Sequence, residues 1–150
     1  MTDDRVLVYR GADQPDMSVI NPESDVWQHT KIPIDYIANN WPLRYSTISS
    51  DGRLIAVAGR RGLTHYSMAS GRWKLFGHST QEQAFFVRGG LLWFHHVLIA
   101  AVEMANKSYQ VCLVCHFAQL LTYIRYNCTP GIMSWIISRF CTPKYLMHQL

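Results

Sequence analysis

Gly52, Gly59, Gly62, Gly71 and Gly77 cut residues 41–77 into pieces too short for a helix of useful length. What lies between those glycines has strand chemistry. Leu43-Arg44-Tyr45-Ser46-Thr47-Ile48 mixes aromatic and β-branched residues. Ser49-Ser50-Asp51-Gly52 follows, with Asp51 as turn former and Gly52 supplying the positive φ of a tight hairpin. Leu54-Ile55-Ala56-Val57-Ala58 is apolar throughout, which predicts a strand buried on both faces. Gly59-Arg60-Arg61-Gly62 turns the chain, Leu63–Met68 forms a third run, and Ala69-Ser70-Gly71 a third turn. Arg72-Trp73-Lys74-Leu75-Phe76 alternates, which predicts Trp73 and Leu75 on one face, with Trp41 and Trp73 as core aromatics. Four short antiparallel strands in this space match one blade of a propeller.

The pattern restarts after Gly77. Phe85-Phe86-Val87 or Leu91-Leu92-Trp93-Phe94 supplies an inner strand, with Gly89-Gly90 as the bend, and Val97–Val102 is the next buried run. Upstream, Val6-Leu7-Val8-Tyr9 reads as the closing strand of a preceding blade. The expected fold is therefore all-β: a partial WD40-like β-propeller of about two four-stranded antiparallel blades, with open edges that call for neighbours.

Composition changes near Gln110. All ten acidic residues lie at or before Glu103, whereas Cys112, Cys115, Cys128 and Cys141 all follow it. The reading divides the chain into a partial propeller over residues 1–110 and a divergent, cysteine-rich tail over 111–150, irregular or partly helical. An apolar fraction of 49% with 16% charged residues argues for a packed chain over a disordered one. The net charge of +4 comes from scattered residues, which gives nucleic acid no footprint. No signal peptide is visible, and the apolar run Val111–Ile124 is too short to span a bilayer, so a cytosolic, reducing location is expected.

Several motifs bear on chemistry. Cys112-Leu113-Val114-Cys115-His116 fits a haem-attachment spacing, and the four cysteines together suggest a zinc site. A metal- or haem-binding protein using Cys112, Cys115 and His116 is the alternative reading; two buried thiols and a chance histidine are the simpler one. Adjacent His95-His96 point to opposite faces of a strand or sit in a turn, so they do not share a metal. Gly77-His78 echoes the Gly-His of WD40 repeats without the rest of that signature. Arg60-Arg61, with Arg44, Arg53, Arg72 and Lys74, form either a basic patch for an acidic partner or anionic lipid, or a solvated blade edge. Trp135-Ile136-Ile137 and Phe140, near Arg139 and Lys144, suggest a membrane-surface segment in the tail. Asn106-Lys107-Ser108 and Asn127-Cys128-Thr129 fit the glycosylation pattern but carry no weight in a cytosolic chain. Phosphate-cradling glycine loops, nucleophile elbows and metalloprotease helices are absent, so no enzyme reading has a foothold.

Asn40-Trp41-Pro42-Leu43-Arg44-Tyr45-Ser46, Ser50-Asp51-Gly52-Arg53 and Ile55–Ser67 form a contiguous signature, continued by Gly71–Gly77, Thr80-Gln81-Glu82-Gln83 and Gly89-Gly90-Leu91. Together they resemble the Ric subunit of the Ric–Rgp complex, particularly its fungal members, over roughly Asp25–Gln110 and most densely over Trp41–Leu91. The resemblance implies a large protein with WD40-like blades near its N-terminus and a mostly helical remainder. It further implies a guanine nucleotide exchange factor subunit that, with its Rgp partner, activates the Golgi Rab GTPase of endosome-to-Golgi retrograde transport. Such a protein sits peripherally on the Golgi membrane and acts by protein–protein contact. It implies no catalytic residue, cofactor or metal ligand here, and assigns no partner-binding residue. The chain is far shorter than that family and turns cysteine-rich where the family continues with another blade, as a truncated or misread gene product does.

Overall fold

The computed structural model describes residues 4–10, 27–76, 78–116 and 123–128. Strands β1 (Arg5–Tyr9) and β2 (Trp27–Lys31) pair antiparallel. Helix α1 (Ile34–Asn40) follows Pro33, whose fixed φ suits a helix start. Strands β3 (Tyr45–Ile48), β4 (Leu54–Ala58), β5 (Thr64–Ser67) and β6 (Arg72–Lys74) then form one four-stranded meander. After the short helix α2 (Ser79–Glu82) comes a second meander: β7 (Phe85–Phe94), β8 (Val97–Met104), β9 (Tyr109–Cys115) and β10 (Tyr123–Cys128). Two antiparallel four-stranded blades agree with the expected count, and the expected strand Val6–Tyr9 is paired with a strand that was not foreseen, β2.

The alternation of β4 explains how the sheets stack. Leu54, Ala56 and Ala58 join a core with Phe85, Val87, Leu98, Ala100, Val102, Cys112 and Val114 of the second blade. Ile55 and Val57 point the other way, into a core with Val6 and Val8 of β1, Ile32 and Tyr36. The first blade is thus held between two neighbours, and its central strand needs apolar residues at every position. Burying each large aliphatic side chain contributes about 1.5–3 kcal/mol.

The hairpin before β4 follows its sequence. Asp51 Oδ1 accepts from the Arg53 amide at 3.1 Å, and Ser49 Oγ accepts from the Leu54 amide at 2.9 Å. The Ser49 hydroxyl donates to Asp51, the largest of the influences that hold this carboxyl below the usual range.

Three expectations are corrected. Phe85–Val87 and Leu91–Phe94 are not alternatives separated by a bend; both belong to β7, with residues 88–90 bulged opposite Ala101. A bulge of two extra residues preserves parity, so Phe85, Val87 and Trp93 all reach the same core. The boundary drawn after Gln110 falls inside β9, which pairs with β8 from Glu103↔Tyr109 through to Val97↔Cys115. Residues 111–116 complete the second blade, because Val111, Cys112 and Val114 supply the apolar surface that β8 packs beside; 123–128 form its outer strand, and the rest of the tail, with its Trp135–Lys144 segment, lies outside the described residues. Finally, Leu75 lies beyond β6 and is exposed, and Trp41 is 47% exposed instead of buried. Trp73 is half-buried, its indole N–H donating to the Lys31 carbonyl at 2.8 Å and tying the first blade to β2.

Candidate functional site

The loop from β4 to β5 is held from two sides by hydrogen bonds. Gly59 N–H donates to the Tyr36 hydroxyl at 2.9 Å, and that hydroxyl donates to the Arg61 carbonyl at 3.3 Å. Arg60 N–H donates to the Asn40 carbonyl at 2.6 Å, and Gly62 N–H to the Phe85 carbonyl at 3.0 Å. Burial pushes the Tyr36 phenol well up, against the opposing pull of the Gly59 bond, so it stays protonated and able to donate. Asn40 is buried in turn, its amide donating to the Tyr36 carbonyl and to the Glu82 carboxylate.

The two glycines of this loop have separate reasons. A Cβ on Gly59 would lie 2.1 Å from the Asn40 carbonyl oxygen. On Gly62 it would lie 2.5 Å from the Glu82 carbonyl oxygen, at a φ of +60°. Glycine lets α1 and α2 close on the loop from two sides. What the clamp presents is a pair of cations. Arg60 is exposed; the Arg61 guanidinium lies 5.2 Å from the centre of the Phe86 ring. Together with Asn39 and Gln83 they line a surface depression. Trp41 follows Asn40 directly, and the Arg44 amide donates to the Ala58 carbonyl, so both residues border the same loop.

The six basic residues considered from sequence do not form one patch. Arg44, Arg60 and Arg61 gather at the end of β4. Arg53 precedes the opposite end, where Leu54 pairs with Ser67 and Ser67 with Arg72. Lys74 turns into the gap between the blades and donates to the His116 carbonyl.

That gap holds a second cluster. His65 Nε2 lies 3.0 Å from His116 Nδ1, and the His65 ring meets Trp93 edge-on at 5.6 Å. Burial, followed by the influence of His116 and Lys74, drives the His65 pKa down to about 3. His116 is lowered too, mainly by burial. Among the described residues, His65 Nδ1 and Trp93 Nε1 have no hydrogen-bond partner.

The alternative metal or haem reading fails on strand geometry. Cys112 and Cys115 are three residues apart on β9, so their sulfurs face opposite sides of the sheet; Cys112 is in the core. A spacing that brings two thiols together on a turn separates them on a strand. The positive charge of Lys74 acts on the His116 ring, which opposes a metal ion there. His95 and His96 form the β7–β8 turn, and His78 is exposed before α2; Gly77 lies outside the described residues. Tyr36, Asn40, Glu82 and His65 are not singled out by sequence, because all but one of their hydrogen-bond partners named above lie 20 to 51 residues away; the paired glycines around Arg60-Arg61 are the one local signal.

The family described as the RIC1 second beta propeller domain matches residues 2–122. The chain belongs to that family. The match runs past Gln110 and covers all of β9, in agreement with the continuous pairing of β8 and β9. The chain is 44% identical over 80 residues to the human guanine nucleotide exchange factor subunit RIC1, covering 53% of this chain and 6% of the relative. It is 34% identical over 108 residues to a guanine nucleotide exchange factor subunit of Caenorhabditis elegans, covering 72% and 7%. With the Schizosaccharomyces pombe subunit ric1 the figures are 37% over 78 residues, 52% and 7%. The matched part of the chain is thus a small fraction of these relatives. No solved structure matches it significantly.

Proposed function

We propose that this chain is part of the propeller of an exchange-factor subunit that activates a Golgi Rab GTPase in endosome-to-Golgi retrograde transport. In this reading it works with an Rgp-type partner, peripherally on the cytoplasmic face of the Golgi membrane. It is a regulatory subunit acting by contact, not an enzyme with its own reacting groups. An exchange factor accelerates nucleotide release by binding the nucleotide-free GTPase more tightly than the loaded form, which needs shaped surface and no covalent chemistry. The observation that carries the proposal is the family match over residues 2–122, laid on three sheets stacked as consecutive blades. Blades stacked in this way leave loops at the sheet ends as the parts free to meet partners.

The test uses the full-length parent. Co-purification with the Rgp-type subunit and faster nucleotide release from the Golgi Rab are expected. A parent that does neither overturns the proposal.

A further inference from the structure

We infer that the depression lined by Asn39, Arg60, Arg61 and Gln83 receives an acidic segment of a protein partner. The inference deepens the exchange-factor reading by giving the chemistry of one contact, and rests on it for the existence of a partner. Carboxylates of the segment pair with Arg60 and Arg61, while Asn39 and Gln83 offer donors and acceptors to its peptide groups.

Three observations support this occupant. The first is charge: at this end of the blade Glu82 is engaged by Asn40 and Glu103 by Arg88, and no described carboxylate pairs with Arg60 or Arg61. An incoming carboxylate therefore meets cations not already neutralised. The second is fixity. Each residue of Gly59-Arg60-Arg61-Gly62 makes a backbone hydrogen bond to α1 or β7, so the loop loses little freedom on binding. The third is composition. The half-exposed Trp41 follows Asn40, whose carbonyl accepts from the Arg60 amide, and arginine and tryptophan dominate the energetics of protein interfaces.

An anionic bilayer fits less well. Each basic residue adds about 1 kcal/mol at such a surface, so Arg60 and Arg61 fall short of stable attachment. The other exposed apolar residue nearby, Ile34, lies at the far end of α1 from Asn39. A concave site with two amides suits a peptide better than a plane of headgroups.

The experiment titrates the full chain with a fluorescent glutamate-rich peptide, and separately with phosphatidylserine vesicles. Arg60→Glu weakens peptide binding about tenfold, as expected of an interface arginine. Arg72→Glu, the same charge change at an exposed site on the far end of the blade, changes it by less than about twofold. A lysine-rich peptide binds Arg60→Glu better than the parent chain. Because Arg60 is exposed, circular dichroism of the variant matches the parent; Trp41→Ala gives a second, uncharged loss of affinity. Equal losses from Arg60→Glu and Arg72→Glu overturn the inference, since they show general attraction to a basic protein. So does vesicle binding that depends on Arg60 while peptide binding does not. None of these results involves nucleotide release by the full-length parent, so this inference and the exchange-factor reading fail separately.

Discussion

The two blades meet at both ends of β7, and the two meetings are built differently. At the start of β7, around Phe85, the contact is a backbone hydrogen bond from Gly62 to the Phe85 carbonyl, made by a loop whose Gly59 and Arg60 amides are held by the Tyr36 hydroxyl and the Asn40 carbonyl of α1. Near its finish, around Trp93, the contact is made by titratable side chains, with His65 and His116 sharing a hydrogen bond beside Lys74. Among the described residues, the first end leaves Asn40 Oδ1 without a partner, and the second leaves His65 Nδ1 and Trp93 Nε1. Backbone contacts do not change with pH, and they tolerate no added atom. Side-chain contacts accept substitution more readily but respond to protonation. The first end is therefore suited to presenting a fixed surface, and the second to joining blades.

Gly59→Ala tests the first end most severely. Its Cβ would overlap the backbone carbonyl of Asn40 at 2.1 Å, which no rotamer relieves. A loss of about 4 kcal/mol or more, read from chemical denaturation, is expected. Tyr36→Phe removes one hydroxyl but strands two backbone groups, Gly59 N–H and Arg61 C=O. The expected cost is about 2 kcal/mol in the same measurement.

The His65 end predicts a pH effect of definite sign. His65 is held near 3 in the fold, against an ordinary value of 6.5. Below 6.5 the unfolded chain takes up a proton that the folded chain refuses until about 3, so stability is full above pH 6.5 and drains as pH falls through that window. His65→Phe keeps a ring against Trp93 and costs about 1 kcal/mol at neutral pH for the lost hydrogen bond. It also flattens the acid limb, as melting temperatures between pH 7 and pH 5 would show. An unchanged acid limb would mean that His65 does not stay neutral on folding. Smallest of all, Arg60→Glu shifts stability by less than about 0.5 kcal/mol, because an exposed side chain on a fixed loop does not hold the loop.

The same contrast explains what was legible in the sequence. The strands from Tyr45 to Lys74 were readable because glycine turns and β-branched runs are local signals. The all-apolar β4 announced two covered faces in five residues. By contrast, Trp27–Lys31 buries only Thr30 and shows no apolar alternation; it is a strand because β1 pairs with it. Helix α1 is seven residues long with two buried, Tyr36 and Asn40, too brief for a periodic signal. Cys112-Leu113-Val114-Cys115 misled for a physical reason: linear spacing implies proximity on a turn and separation on a strand. The change in composition near Gln110 was real, but the register of β8 on β9 runs straight across it. Arg60 and Arg61 were visible from sequence, whereas the groups that fix them came only from tertiary contact.

The central claim is that the first blade is covered on both faces, as the middle of three stacked sheets. Ala56→Cys and Val57→Cys place thiols on adjacent residues of β4 that face opposite cores. Thiol labelling in the native state, read residue by residue by mass spectrometry, is expected to be slow at both positions and to proceed only with unfolding. Rapid labelling at either one, with the chain still folded, would expose a bare face and contradict the stacked-blade account.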